Sequence, residues 1–394
     1  MSNTALGGTA AGESAPRNIA ALTGFRFVAA MMVFFSHFAI PGLSGTAFRM
    51  TQAGYAGVTL FFVLSGFVIA YNYLERFEQG MTAGSIKEYL IARFARVYPL
   101  YFLLIVAGWL MQGAGAPPWT HLLAIQTWSA DSDLAFSING PAWSIGVEVF
   151  LYLMFPLLVP IIALLGLTSC FRRLQIVAAL VALVMLAAAL YFTFSGQNAL
   201  PYQHPMSAHR WLYRTPVTRL GDFLLGVFGA IYFMRFARGG ADNARRWSVV
   251  TWLCVVLVAV FMATERNFRS AYSWDVAYAL PGILLIVGLS VNPRTILARI
   301  LASPPLLLLG QASYALYLIH VPAGRLWERA GSDLGTEMSL YLIFVVSVLA
   351  LSTMLHVWVE RPARLMVRWW LSARPTAMTM RDGDVSRAKN HGSV

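Results

Sequence analysis

The sequence predicts an all-α, polytopic membrane protein of about ten transmembrane helices, with both termini in the cytoplasm. Composition is the first observation behind this. Of 394 residues 58% are hydrophobic and only 12% are charged, against the roughly 25% charged residues of a soluble domain. Mean hydropathy is +0.63. The second observation is that the apolar residues gather into stretches long enough to cross ~30 Å of hydrocarbon, which takes ~20 residues. The third is the placement of the basic residues. A net charge of +12 would raise nucleic-acid binding in a soluble protein, but membrane proteins concentrate Lys and Arg in cytoplasmic loops. No nucleic-acid partner is therefore expected, and the lipid bilayer is.

In chain order, residues 1–18 are small and polar and read as a disordered tail. They lack a basic region followed by a cleavage site, so the first apolar segment is expected to be retained. Candidate spans then lie near 19–40, 54–73, 97–113, 142–166, 174–194, 217–237, 247–264, 272–290, 305–324 and 339–359. They form one transmembrane domain over 19–370, followed by a disordered cytoplasmic tail over 371–394. An even number of spans returns the chain to the side on which it began. Under that topology 20 Lys and Arg fall on the side of the termini and seven on the other, which makes the terminal side cytoplasmic. Cys170 and Cys254 sit in or beside apolar runs, so neither a disulfide framework nor a metal centre is expected.

Ionisable residues inside spans cost at least ~2.5–3.5 kcal/mol, which makes each a candidate for function. The first span carries Arg26 and His37 in ALTGFRFVAAMMVFFSHF. Eleven steps of ~100° bring them within ~20° of one face, ~16 Å apart along the axis. Glu148 enters from outside in PAWSIGVEVFLY, about seven residues below the surface, and His320 lies near the outer end of LGQASYALYLIHVP. His37, Glu148 and His320 thus fall at similar depth on three helices. An imidazole beside a carboxylate has the composition of an oriented general base. Simpler roles stand beside this one: a His bonding a nearby carbonyl, a Glu paired with an Arg, an Arg26 that snorkels to the interface. In IKEYLIARFARVYPLYF, Arg93 and Arg96 share a helix face and suit a phosphate, although basic residues flanking a span are routine. Gly57, Ser65 and Gly66 permit close helix packing. The outer loop 195–216 mixes aromatics, amides and His, suited to contacting sugar or simply to being a structured loop.

At these residues the sequence resembles the acyltransferase 3 family of membrane O-acyltransferases. The resemblance runs in order through LTGFRFVAAMMVFFSHF, GVTLFFVLSGF, ARFARVYP, PAWSIGVEVFLY, RLGDFLLG, LGQASYALYLIHVP and ERPAR, from residue 22 to 364. Arg26 and His37 match its Arg-x10-His signature, Arg93 and Arg96 its Arg-x-x-Arg motif, and Glu148 the acidic residue after Trp-Ser. The resemblance implies transfer of an acyl group, usually acetyl from acetyl-CoA, to a hydroxyl at a bacterial-type inner membrane. Acceptors across the family include O-antigen, exopolysaccharide, peptidoglycan, Nod factors and macrolides. Two positions depart from it: Thr59 stands where many members have Asp, and Asp222 where Glu is common. An appended hydrolase-like domain, present in some members, is not expected here.

Joined, these readings give a site. Arg93 and Arg96, with Arg26, hold the phosphates of acyl-CoA at the cytoplasmic mouth. The thioester reaches His37, which takes the proton of an acceptor hydroxyl while Glu148 orients the imidazole. Trp143, Ser144 or Tyr317 donates to the oxyanion, and these with His320 line the acceptor site. No metal is required. An acyl-enzyme route and, in a different class, a proton-coupled transporter or flippase using the intramembrane His and Glu are the alternatives.

Overall fold

A computed structural model describes residues 18–237, 240–264, 270–330 and 337–372. The predicted tails before residue 18 and after 372 lie outside the described residues, as do Arg17, Arg238, Arg266 and Arg269 among the orienting charges. Among the described residues there is no strand. The principal helices are α1 (Ala20–His37), α2 (Ala56–Gln79), α3 (Ala83–Met111), α4 (Trp143–Leu164), α5 (Phe171–Phe194) and α6 (Pro216–Ile231). They continue with α7 (Ala241–Ala263), α8 (Val276–Val291), α9 (Pro304–Gln311), α10 (Ser313–Arg329), α11 (Met338–Leu355) and α12 (Arg361–Ser372). Each predicted apolar segment falls on one or two of them. Among the described residues eight helices are long and apolar enough to cross a bilayer, and α9 with α10 makes a ninth, bent by 64°. Helix α8 is a shorter apolar helix of 16 residues.

Local sequence sets the ends. Helix α1 stops before Pro41 and Gly42, the latter at φ +72°. Thr82 caps α3 by accepting from the Ser85 amide at 3.1 Å while Ser85 Oγ accepts from the Thr82 amide at 2.9 Å, a reciprocal cap. Pro216 and Pro304 occupy the first turns of α6 and α9, where a missing N–H costs nothing. The segment read as one span over 305–324 is broken instead. Its freed backbone is satisfied inside the protein, with Ser313 Oγ donating to the Gly310 carbonyl at 2.8 Å, which lets a bent helix survive in hydrocarbon.

Helix α2 is the most buried span and packs against α1, α4, α6 and α8. Its contact with α6 is backbone to backbone. A Cβ on Gly66 would sit 2.0 Å from the Phe223 carbonyl oxygen, and one on Gly226 2.0 Å from that of Val63. Gly57 likewise lets α2 close on α1, where a Cβ would meet the Ala29 carbonyl oxygen at 2.3 Å. Small residues thus serve where apolar burial gives helices no reason to associate within lipid. Helices α5 and α7 are peripheral, with exposed Leu183, Val184, Leu253 and Val256.

Gly226→Leu is expected to separate α2 from α6 and cost at least about 1–3 kcal/mol, the scale of overpacking. Thermal unfolding of the solubilised protein checks this, and an unchanged midpoint would contradict the tight contact.

Candidate active site

His37 ends α1, and His320 lies on α10. Their rings meet edge to face, centroids 5.0 Å apart at 71°. The Nδ1 of His37 is 2.9 Å from the Val33 carbonyl oxygen and 3.4 Å from Nε2 of His320. A carbonyl only accepts, so the proton of His37 resides on Nδ1 and its Nε2 carries the lone pair. In His320, Nδ1 donates to the Leu316 carbonyl at 3.2 Å, which makes its Nε2 an acceptor too. The pair thus holds His37 in the tautomer whose basic nitrogen is Nε2. His37 is exposed and lines a cavity, whereas His320 is buried behind it.

That cavity, about 640 Å³, opens at the end of the bundle where α1 finishes. Its wall is aromatic: Tyr55, Trp143, Tyr213 and Trp274, with Trp143–Tyr213 centroids at 5.0 Å and Tyr55–Trp274 at 4.7 Å. The loop after α5 contributes Asn198, Tyr202 and His209, so the segment 195–216 does face the site. Arg325 adds a cation.

At the opposite end a cavity of about 390 Å³ is lined by Arg26, Arg93, Arg96 and Arg364, with Asn72 and Gln311. Among the described residues neither Arg26 nor Arg96 makes a hydrogen bond or ion pair, and Nε of Arg93 is buried without a partner. Arg93 is fixed at its other end, donating to Tyr73 Oη at 3.2 Å. Between the two lies a narrow space of about 50 Å³. It shares Arg26 and Arg96 with the cationic cavity, and Val58 and Tyr317 with the aromatic one. The polar residues therefore run in series through the bundle.

Glu148 belongs to this middle space, where Ser65 Oγ donates to its Oε1 at 3.0 Å and it interacts electrostatically with Arg26. His37 and Glu148 line separate spaces, and the residue packed against His37 is His320. Counting residues predicts similar depth for the two, whereas Glu148 shares its space with Arg26, and the direction each helix turns its side chains is not readable from local sequence. Ser144 Oγ and Tyr317 Oη both donate to the Pro141 carbonyl, at 3.1 and 3.2 Å. Trp143 packs in the aromatic wall, tilted by 51° against Tyr213.

The aromatic wall rests on a buried charge cluster. The Arg219 side chain is fully buried; its Nε donates to the Tyr213 carbonyl at 2.8 Å and its Nη2 to the Trp274 carbonyl at 2.6 Å. Its Nη1 reaches Asp222 at 2.7 Å, Thr59 Oγ1 at 3.1 Å and Asp275 at 3.6 Å. Thr59, the departure noted above, is an oxygen acceptor for Arg219, and Asp275 supplies a second carboxylate from the start of α8. Sequence reasoning missed Asp275 and the rings of Tyr55 and Trp274, and it gave no role to Arg364 of the ERPAR run. The segment RLGDFLLG flagged Arg219 and Asp222, but no local pattern tied them to residue 275.

The family model of the acyltransferase domain matches residues 19–357. The chain belongs to the acyltransferase 3 family. It is a multi-pass membrane protein and an acyltransferase, working between an acyl donor and a hydroxyl acceptor. It is 27% identical over 379 residues to acyltransferase MdmB of Streptomyces mycarofaciens, covering 88% of this chain and 92% of that one. It is 25% identical over 332 residues to O-acetyltransferase OatA of Staphylococcus aureus, covering 78% of this chain but 51% of that one. No solved structure matches.

Arg219→Met leaves two buried carboxylates without their cation and is expected to cost about 3–5 kcal/mol. Thr59→Val removes one hydrogen bond and is expected to cost about 1 kcal/mol. Unfolding midpoints of the two variants should fall in that order; equal midpoints would contradict the cluster's role.

Proposed function

We propose that the chain transfers an acyl group, acetyl in the simplest case, from acyl-CoA to a hydroxyl of a carbohydrate or glycosylated acceptor. The observation that carries this is the series of three spaces joining a cationic cavity to an aromatic one that holds His37. The charge-rich end of the bundle faces the cytoplasm of a bacterial-type inner membrane, as the distribution of basic residues favours.

On this reading Arg93, Arg96 and Arg26, joined by Arg364, receive the phosphates of CoA. Arg26 and Arg96, which make no hydrogen bond or ion pair among the described residues, suit that charge, since each can meet a phosphate with paired N–H donors. The thin pantetheine arm runs through the middle space past Ser65 and Glu148 and presents the thioester near His37. The acceptor sits against the rings of Tyr55, Trp143, Tyr213 and Trp274, whose flat apolar faces match the C–H face of a sugar.

The acceptor oxygen attacks the thioester carbonyl as its proton passes to Nε2 of His37. The tetrahedral intermediate collapses with cleavage of the C–S bond. The imidazolium returns the proton to the CoA sulfur, leaving ester and free thiol. Val33 and His320 accept from Nδ1 throughout, which orients the ring and stabilises its cationic form; His320 is thus a positioning residue. Glu148 serves as counter-ion to Arg26 in the passage. Tyr317, which lines both the middle and the aromatic spaces, donates to the oxyanion once it releases the Pro141 carbonyl.

His37→Ala is expected to lower transfer by about 10²–10⁴-fold with unchanged membrane level, the usual worth of a general base. Full activity would remove His37 from the chemistry. Arg93→Gln with Arg96→Gln should weaken acyl-CoA binding by about tenfold or more per lost charge-assisted contact, leaving the acceptor KM unchanged. Ser65→Leu should obstruct the passage, lowering kcat while donor affinity at the cationic cavity persists; titration with a nonhydrolysable acyl-CoA alongside turnover separates the two.

A further inference from the structure

Away from the passage, the bundle carries a second cavity that the transfer reaction does not use. Helix α5 packs on α6, α6 on α8 and α8 on α7. Between α5 and α7 this leaves a groove of about 460 Å³. Ala178, Ala179 and Ala182 of α5 keep it open, and Leu225 and Ile283 floor it. Its lining is almost wholly apolar, so water gains no partners there. It opens on helices whose outward faces are apolar and exposed. The material available to fill it is hydrocarbon.

One end of the groove has a different chemistry. Phe171, Tyr232 and Trp247 form a continuous aromatic rim, with centroids 5.6 and 5.5 Å apart. Such rings belong at the boundary between hydrocarbon and headgroups. Immediately beyond them lie Arg172 and Arg173 in the first turn of α5, and Arg245 and Arg246 ahead of Trp247 in α7, all four exposed. Asp242, also exposed, leaves this rim strongly positive. A slot of hydrocarbon width that ends in an aromatic collar and paired guanidiniums is complementary to one kind of molecule. We propose that it binds an anionic phospholipid, with an acyl chain in the groove and the headgroup phosphate on the arginines.

Native mass spectrometry of the full chain, released from vesicles of equal phosphatidylglycerol and phosphatidylcholine with matched chains, tests this. The expected result is one retained phosphatidylglycerol in preference to phosphatidylcholine. Replacing Arg172, Arg173, Arg245 and Arg246 by Gln should erode that preference by about fivefold for each charge removed near the surface. Ala179→Leu with Ala182→Phe, which fill the groove, should abolish retention of either lipid. Helical circular dichroism and acyl transfer confirm that each variant is folded. Equal retention of the two lipids by the unaltered chain, or retention undiminished by the filled groove, would overturn the proposal. So would a dimeric mass that becomes monomeric when the groove is filled, since the occupant would then be a second copy.

Discussion

Hydrocarbon cannot solvate an ionised side chain, and that constraint organises the molecule. Arg26, His37, Arg96, Glu148, Arg219, Asp222 and His320 all lie on or beside apolar helices, and each faces a cavity or a partner within the bundle. Inward-facing polar groups on neighbouring helices become neighbours of one another, so the penalty for exposure produces a continuous polar interior. Backbone contacts such as Gly66 against Phe223 draw the helices close enough for those groups to meet.

Three kinds of polar arrangement result, and they divide the work. In the cationic cavity Arg26 and Arg96 make no hydrogen bond or ion pair among the described residues, which suits them to an anionic ligand. In the histidine pair the Nδ1 contacts of His37 fix its tautomer and leave the basic lone pair on Nε2. The Arg219 guanidinium has a partner on each of its nitrogens and holds the backbone of Tyr213 and Trp274 in place. A fully partnered guanidinium gives a rigid wall; incomplete pairing gives a receptor. The same bundle supplies both because buried positions differ in how many acceptors the surrounding helices bring.

Much of this was legible in the sequence. Apolar stretches located the helices, and the spacing of Arg26 and His37 placed a cation and an imidazole on one face of α1. Counting residues put His37, Glu148 and His320 at one level, but Glu148 lines the middle space with Arg26 while His37 lines the outer cavity. Rotation about each helix axis could not be read, because it depends on neighbours that local sequence does not name. Glu148 therefore turned out to face Arg26 and Ser65, and His320 to stand against His37. The bend between Gln311 and Ser313, the inward fold of loop 195–216 and the reach of Asp275 to Arg219 are likewise long-range outcomes. None leaves a periodicity or spacing in its own segment. Gly57 and Gly66 were read as packing residues and are, whereas Ser65 beside them lines the passage.

The central claim is that donor and acceptor meet His37 from opposite sides of one membrane. The direct test is transfer in proteoliposomes of fixed orientation, with labelled acyl-CoA confined to the compartment facing Arg93 and Arg96 and acceptor confined to the other. The account predicts acylated acceptor in the compartment facing the aromatic cavity, and none with His37→Ala. Transfer that occurs only when donor and acceptor share a compartment would contradict it.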